Sequence, residues 1–167
     1  MLLINRIAQI ALLAITLNSS YAFAADTETA KNNVVISNAW VRATHPGQAV
    51  GAAYMTLTSK QDVTLISVES DVSPSVEIHS MSMNNGVMKM RMLDNLSLTA
   101  NKPHALTPGG FHIMLFDLKK PLTAGEKVNL TLNFKTAVAR FKQTIAVPVK
   151  AIEDATAKDS ANQDHQH

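Results

Sequence analysis

The chain has 167 residues and no cysteine. That single absence excludes disulfide staples, thiolate metal ligands and thiol nucleophiles together. It also excludes a blue-copper electron-transfer centre, which is built on a cysteine thiolate. Long apolar runs are missing as well: the run from Ile7 to Leu17 is too short to span a bilayer, and no later segment reaches the roughly 18 uninterrupted apolar residues of a membrane helix. Charge of one sign is missing too. The formal net charge is +2, and without the first 24 residues 14 basic side chains face 13 acidic ones. No dominant field favours nucleic acid or an anionic membrane. Gly-x-Ser-x-Gly stretches, phosphate loops and paired-carboxylate signatures are absent, and Glu77 and Asp94 read as solvated strand and turn charges. The chain reads as a non-enzyme.

What is present suits one soluble domain with a substantial core, at 46% hydrophobic and 17% charged residues. The N-terminus has the form of an export signal, with Arg6, the apolar run, and Ala22-Phe23-Ala24 before Ala25 as an A-x-A cleavage site. Residues 1–24 are therefore expected to be a cleaved signal peptide and the mature chain to be soluble outside the cytoplasm. A polar lead-in (26–32) precedes a domain at 33–150. Residues 151–167 turn polar, lose periodicity and read as a mobile tail, whose His165 and His167 form an H-x-H pair that could hold Cu(II).

Between these ends the sequence alternates as strands do: Val34 to Ala43, Gly51 to Ser59, Val63 to Val68, Val76 to Met83, Val87 to Leu93, Phe111 to Leu118, Lys127 to Phe134 and Phe141 to Val149. Turn signals punctuate them, among them His45-Pro46-Gly47, Asn85-Gly86 and Pro108-Gly109-Gly110. No long segment of helical period competes. The pattern predicts an all-β fold, an antiparallel Greek-key sandwich or barrel of about the size of an immunoglobulin-like or cupredoxin-like domain.

Five of the chain's eight methionines lie between Met81 and Met92, around Asn85-Gly86. Asn-Gly between alternating runs signals a two-residue type I′ hairpin, because both residues tolerate positive φ. Counting outward pairs Met83 with Met88, Met81 with Met90 and His79 with Met92. All six then share one face, while Ile78, Ser80, Lys89 and Arg91 take the other. His79 and Met90 become diagonal neighbours, with Cβ atoms roughly 7 Å apart. For any one of these methionines core packing is the competing reading.

A second pair shifts the balance. In GGFHIMLFDL, His112, Met114, Phe116 and Leu118 share one face and Ile113 and Leu115 the other. His112 enters its strand directly after a Gly-Gly turn and is expected near the rim, accessible to solvent. Two imidazoles and two thioethers suit Cu(I), a soft ion. Calcium and magnesium want carboxylates, and the candidate set contains none. Thioethers need no deprotonation and cannot form disulfides, which fits copper carriage in an oxidising compartment. Met81, Met83, Met88 and Met92 are expected to shape and shield the site, with Met81 the nearest substitute ligand. His45 and His104, beside prolines, read as solvated surface residues.

The spacing His79, ten residues, Met90, twenty-one residues, His112, one residue, Met114 resembles the H-x10-M-x21-H-x-M signature of the PCuAC-type periplasmic copper chaperones. The stretches AWVRATHPGQAVGAAYMTL and LTPGGFHIMLFDLKKPLTAGEKVNLTLNF are similar to that family's early strands and second half, so the resemblance spans roughly Ser37 to Val149. It implies a cupredoxin-like fold that binds one Cu(I) through His79, Met90, His112 and Met114. It also implies a periplasmic location and delivery of copper to another protein. The family's usual recipient is the copper centre of cytochrome c oxidase, reached directly or through a thioredoxin-like assembly partner. Ser80 stands where some members place a methionine. A structural β-sandwich that binds nothing, and a copper store without specific transfer, are the alternatives.

Overall fold

The computed structural model describes residues 34–151. The expected signal peptide, its lead-in and the H-x-H tail lie outside the described residues. Ten strands follow one another: β1 (Val34–Arg42), β2 (Gly51–Ser59), β3 (Val63–Ser70), β4 (Ser75–Asn84), β5 (Val87–Leu93), β6 (Leu96–Leu98), β7 (His104–Leu106), β8 (His112–Phe116), β9 (Lys127–Lys135) and β10 (Arg140–Lys150). No helix occurs among the described residues. Eight strands match the expected segments to within one or two residues at almost every end. β6 and β7, three residues each, were not foreseen, because three residues carry too little alternation to register.

The strands run in the order β5-β4-β8-β2-β1-β10-β9-β3-β6, with β7 pairing β2 separately. Neighbours distant in sequence, such as β4 with β8 and β3 with β9, are the crossovers of a Greek key. One ladder departs from the expected antiparallel plan. From Arg140 to Pro148, β10 runs antiparallel to β9, but Val149 and Lys150 pair in parallel with Val41 and Arg42 of β1. One long strand thus joins both halves of the sandwich.

Period-two burial builds the core between the halves. In β9, Val128, Leu130, Leu132 and Phe134 are buried while Lys127, Asn129 and Lys135 are exposed. Ala53, Met55 and Leu57 of β2, Ile78 of β4, and Ile113 and Leu115 of β8 supply the facing layer. In β3 the register shifts between Leu65 and Ser67, so that Val68 takes the buried place.

His104 is not the solvated residue expected from its neighbouring proline. β7 places it opposite Leu57 on the core side, edge-on to Phe111 at 4.8 Å between ring centroids, with Nε2 buried and unpartnered. His45 is exposed, as expected. Burial pushes the His104 pKa below the ordinary imidazole value of 6.5. An unfolded chain therefore takes up a proton near pH 6.5 that the folded chain refuses until lower pH, so this residue destabilises the fold as pH falls through that window. Urea denaturation of the parent and of His104→Leu at pH 7.5 and pH 5.5 should show a smaller acid-induced loss of stability in the variant. Equal losses would mean that His104 titrates as a solvated imidazole does.

Candidate metal centre

The hairpin register is the one that Asn-Gly dictates. Asn84 pairs with Val87, Met83 with Met88, Met81 with Met90 and His79 with Met92. Asn85 and Gly86 both take positive φ, 51° and 75°. On its other side β4 pairs with β8, and there His79 lies opposite His112 and Glu77 opposite Met114. One row across three strands therefore reads Met92, His79, His112. Met90 lies diagonal to His79 on one side, and Met114 lies diagonal to it on the other. All four residues singled out by sequence stand on the outer face of one three-stranded patch, with Ile78, Ile113 and Leu115 beneath them in the core.

The methionines do not pack into the core. Met83, Met88, Met90 and Met92 are between 49% and 66% exposed. Burying one such side chain fully is worth about 1.5–3 kcal/mol, so a hairpin evolved for stability alone would not leave four of them in solvent. Met81 and Met114 are half-buried. The imidazoles behave oppositely: His79 is 8% exposed and His112 only 4%. His112 is thus covered rather than open at the rim, contrary to the expectation from its turn. The ring centroids of the two histidines are 5.8 Å apart, and Phe116 lies 6.1 Å from His79.

Each ring is fixed at one nitrogen. His112 Nδ1 donates to the Gly110 carbonyl at 3.0 Å, and that same carbonyl accepts the Met81 amide at 3.1 Å. The Thr107–Gly110 turn closes with a 3.0 Å hydrogen bond from the Gly110 amide to the Thr107 carbonyl, and Gly109 supplies a φ of 79°. The turn therefore holds His112 against β4. A carbonyl can only accept, so in neutral His112 the lone pair is on Nε2.

For His79 the anchor is Glu77, whose Oε2 lies 2.7 Å from Nε2. The expectation that no carboxylate stands at the site is corrected here, as is the reading of Glu77 as a scattered surface charge; Asp94 is exposed as expected. The signal was available, since residues two apart in a strand share a face and Glu77 precedes His79 by two. An ionised carboxylate accepts only, so it draws the proton to Nε2 and leaves the lone pair of neutral His79 on Nδ1. That Nδ1 is buried and has no hydrogen-bond partner. A buried, unsatisfied imidazole nitrogen costs about 1–3 kcal/mol, and a metal ion would satisfy it.

Among the described residues, no group of three His, Asp or Glu side chains is gathered closely enough to hold a metal ion. Nitrogen and oxygen donors alone do not make a site, so a metal here would draw on the thioethers as well. That donor set of two imidazoles with neighbouring sulfurs suits a soft monovalent ion. Nitrogen-15 spectra of the imidazoles at pH 8 should show His79 as the Nε2–H tautomer in the parent and as a mixture of tautomers in Glu77→Ala. An unchanged tautomer in the variant would show that the carboxylate does not orient the ring.

A family model described as "Putative lipoprotein LpqE-like" matches residues 34–149. "Putative lipoprotein Lxx21020" of Leifsonia xyli subsp. xyli (strain CTCB07) is 31% identical over 125 residues, which cover 74% of this chain and 74% of that protein. Among solved structures, Cu(I)-bound DR1885 from Deinococcus radiodurans is 32% identical with a TM-score of 0.55, the match covering 76% of this chain and 85% of that one. The copper-bound PCuAC domain from PmoF2 is 26% identical with a TM-score of 0.59, over 71% of this chain and 93% of that domain. The fold is thus the all-β, cupredoxin-like one of the PCuAC domains, and with residues 34–149 matched the chain belongs to the LpqE-like family.

Proposed function

We propose that this protein is an exported Cu(I) carrier in which His79, Met90, His112 and Met114 bind one cuprous ion and release it to a recipient protein. The observation that carries this reading is the unpartnered, buried Nδ1 of His79, set beside His112 on a face whose thioethers are left in solvent. Copper in DR1885 and in the PmoF2 domain, and the lipoprotein name of the Leifsonia relative, support it.

The chemistry follows from the donors. The imidazoles are held by Glu77 and Gly110 and provide fixed nitrogen lone pairs, while the methionines have three rotatable bonds each and adjust to the ion. Neutral thioethers bind without releasing protons, and an incoming thiolate can displace them without a proton moving first. Half-exposed Met90 is the thioether that such a thiolate displaces first. The copper centre of cytochrome c oxidase, reached directly or through a thioredoxin-like partner, is the recipient we infer; the compartment is the periplasm.

Anaerobic Cu(I) titration against a competing chelator tests the site. His79→Ala/His112→Ala should lose more than the roughly 10–100-fold in affinity typical of removing an outer partner, and Glu77→Ala should lose about that 10–100-fold. Undiminished binding by the double variant would remove the site. For transfer, Cu(I)-loaded protein mixed with the apo copper domain of the oxidase should give up its metal within the mixture's equilibration. Retention of copper with full affinity would make the protein a store.

A further inference from the structure

Past His79 and His112 the ladder with β8 ends and, apart from the Met81 amide bonded to the Gly110 carbonyl, the hairpin continues as β4 and β5, its tip carrying more sulfur than one copper ion needs. Met83 lies directly opposite Met88, and Met81 directly opposite Met90. Met83 and Met88 are the most distal of the five hairpin methionines and are 66% and 51% exposed. The reverse face of the same ribbon presents Ser82, Lys89 and Arg91, with Ser82 opposite Lys89. Polar side chains thus predominate on one face, with Val87 opposite Asn84 its exposed apolar exception, while past His79 the other holds only thioethers although it has no core to join.

We propose that Met81, Met83 and Met88 form a second Cu(I) site at the hairpin tip, distinct from the one centred on His79 and His112. The choice of metal rests on the carrier reading above; the juxtaposition of the three residues does not. Directly opposed residues such as Met83 and Met88 have Cβ atoms about 4.5–5.5 Å apart, and diagonal ones such as Met81 and Met88 about 7–8 Å. Three unbranched side chains with three rotatable bonds each can bring their sulfurs together across those spans. Beyond His79, which belongs to the first site, that face carries no carboxylate and no imidazole, so hard cations find no suitable donor and a soft monovalent ion does. Met90, a ligand of the first site, directly opposes Met81 of the second, so the two sites adjoin across this pair and copper has a sulfur-lined step from the exposed tip toward the buried imidazoles.

Ag(I), a soft monovalent cation without accessible redox chemistry, is the probe. Native mass spectrometry counts bound ions, and methyl-13C methionine spectra report which thioethers bind. The parent should take two equivalents, with the Met83 and Met88 methyl signals shifting at the tip site. Met83→Leu/Met88→Leu, which conserves volume at exposed positions and so preserves the fold, should take one. His79→Ala/His112→Ala should also take one, now with the tip methyl signals still shifting. A parent that binds a single equivalent without moving the Met83 and Met88 signals, or a leucine variant that keeps two, overturns the tip site. A histidine variant that keeps two overturns the carrier reading instead.

Discussion

Everything at the candidate metal centre depends on the register in which β4 is held between β5 and β8. Ile78 pairs with Ile113 on one side and Leu93 on the other, and both isoleucines are buried in the core. A slip of one residue would send Ile78 into solvent and His79 into the core. Each buried isoleucine is worth about 1.5–3 kcal/mol, so the apolar layer beneath fixes the imidazole pair above. The outer face needs no stabilising contacts of its own to stay aligned, and it is left free to present sulfur.

That division of labour separates rigid donors from mobile ones. Glu77 and the Gly110 carbonyl each hold one ring nitrogen, and the Gly110 carbonyl also ties the 107–110 turn to Met81 of β4. The nitrogens that remain are fixed in place. Four of the hairpin thioethers, Met83, Met88, Met90 and Met92, are about half or more exposed, and each has three rotatable bonds, whereas Met81 and Met114 are half-buried beside the imidazoles. The proposed carrier function asks for this arrangement, since sulfur ligands can be exchanged without unfolding any strand or titrating any thiol.

Much of this was legible in the sequence because it depended on local rules. Asn85-Gly86 permits one turn type, that turn permits one register, and the register follows outward to His79 and Met92. The alternation in β8 likewise put His112 and Met114 on one face. What was missed depended on the third dimension. Glu77 is the exception, because its place two residues before His79 on one strand face was legible from the alternation alone. His112 and His104 looked exposed because turns and prolines flank them, yet each is covered by a strand or ring distant in sequence. The parallel pairing of Val149 and Lys150 with β1 has no local signature at all, since it comes from the way β10 bridges the two halves.

X-ray absorption at the copper edge of protein loaded with one equivalent of Cu(I) tests the central claim most directly. The account predicts a first shell of two nitrogen and two sulfur scatterers, with the imidazole contribution lost on replacing His79 and His112. A first shell of oxygen and nitrogen without sulfur would contradict it.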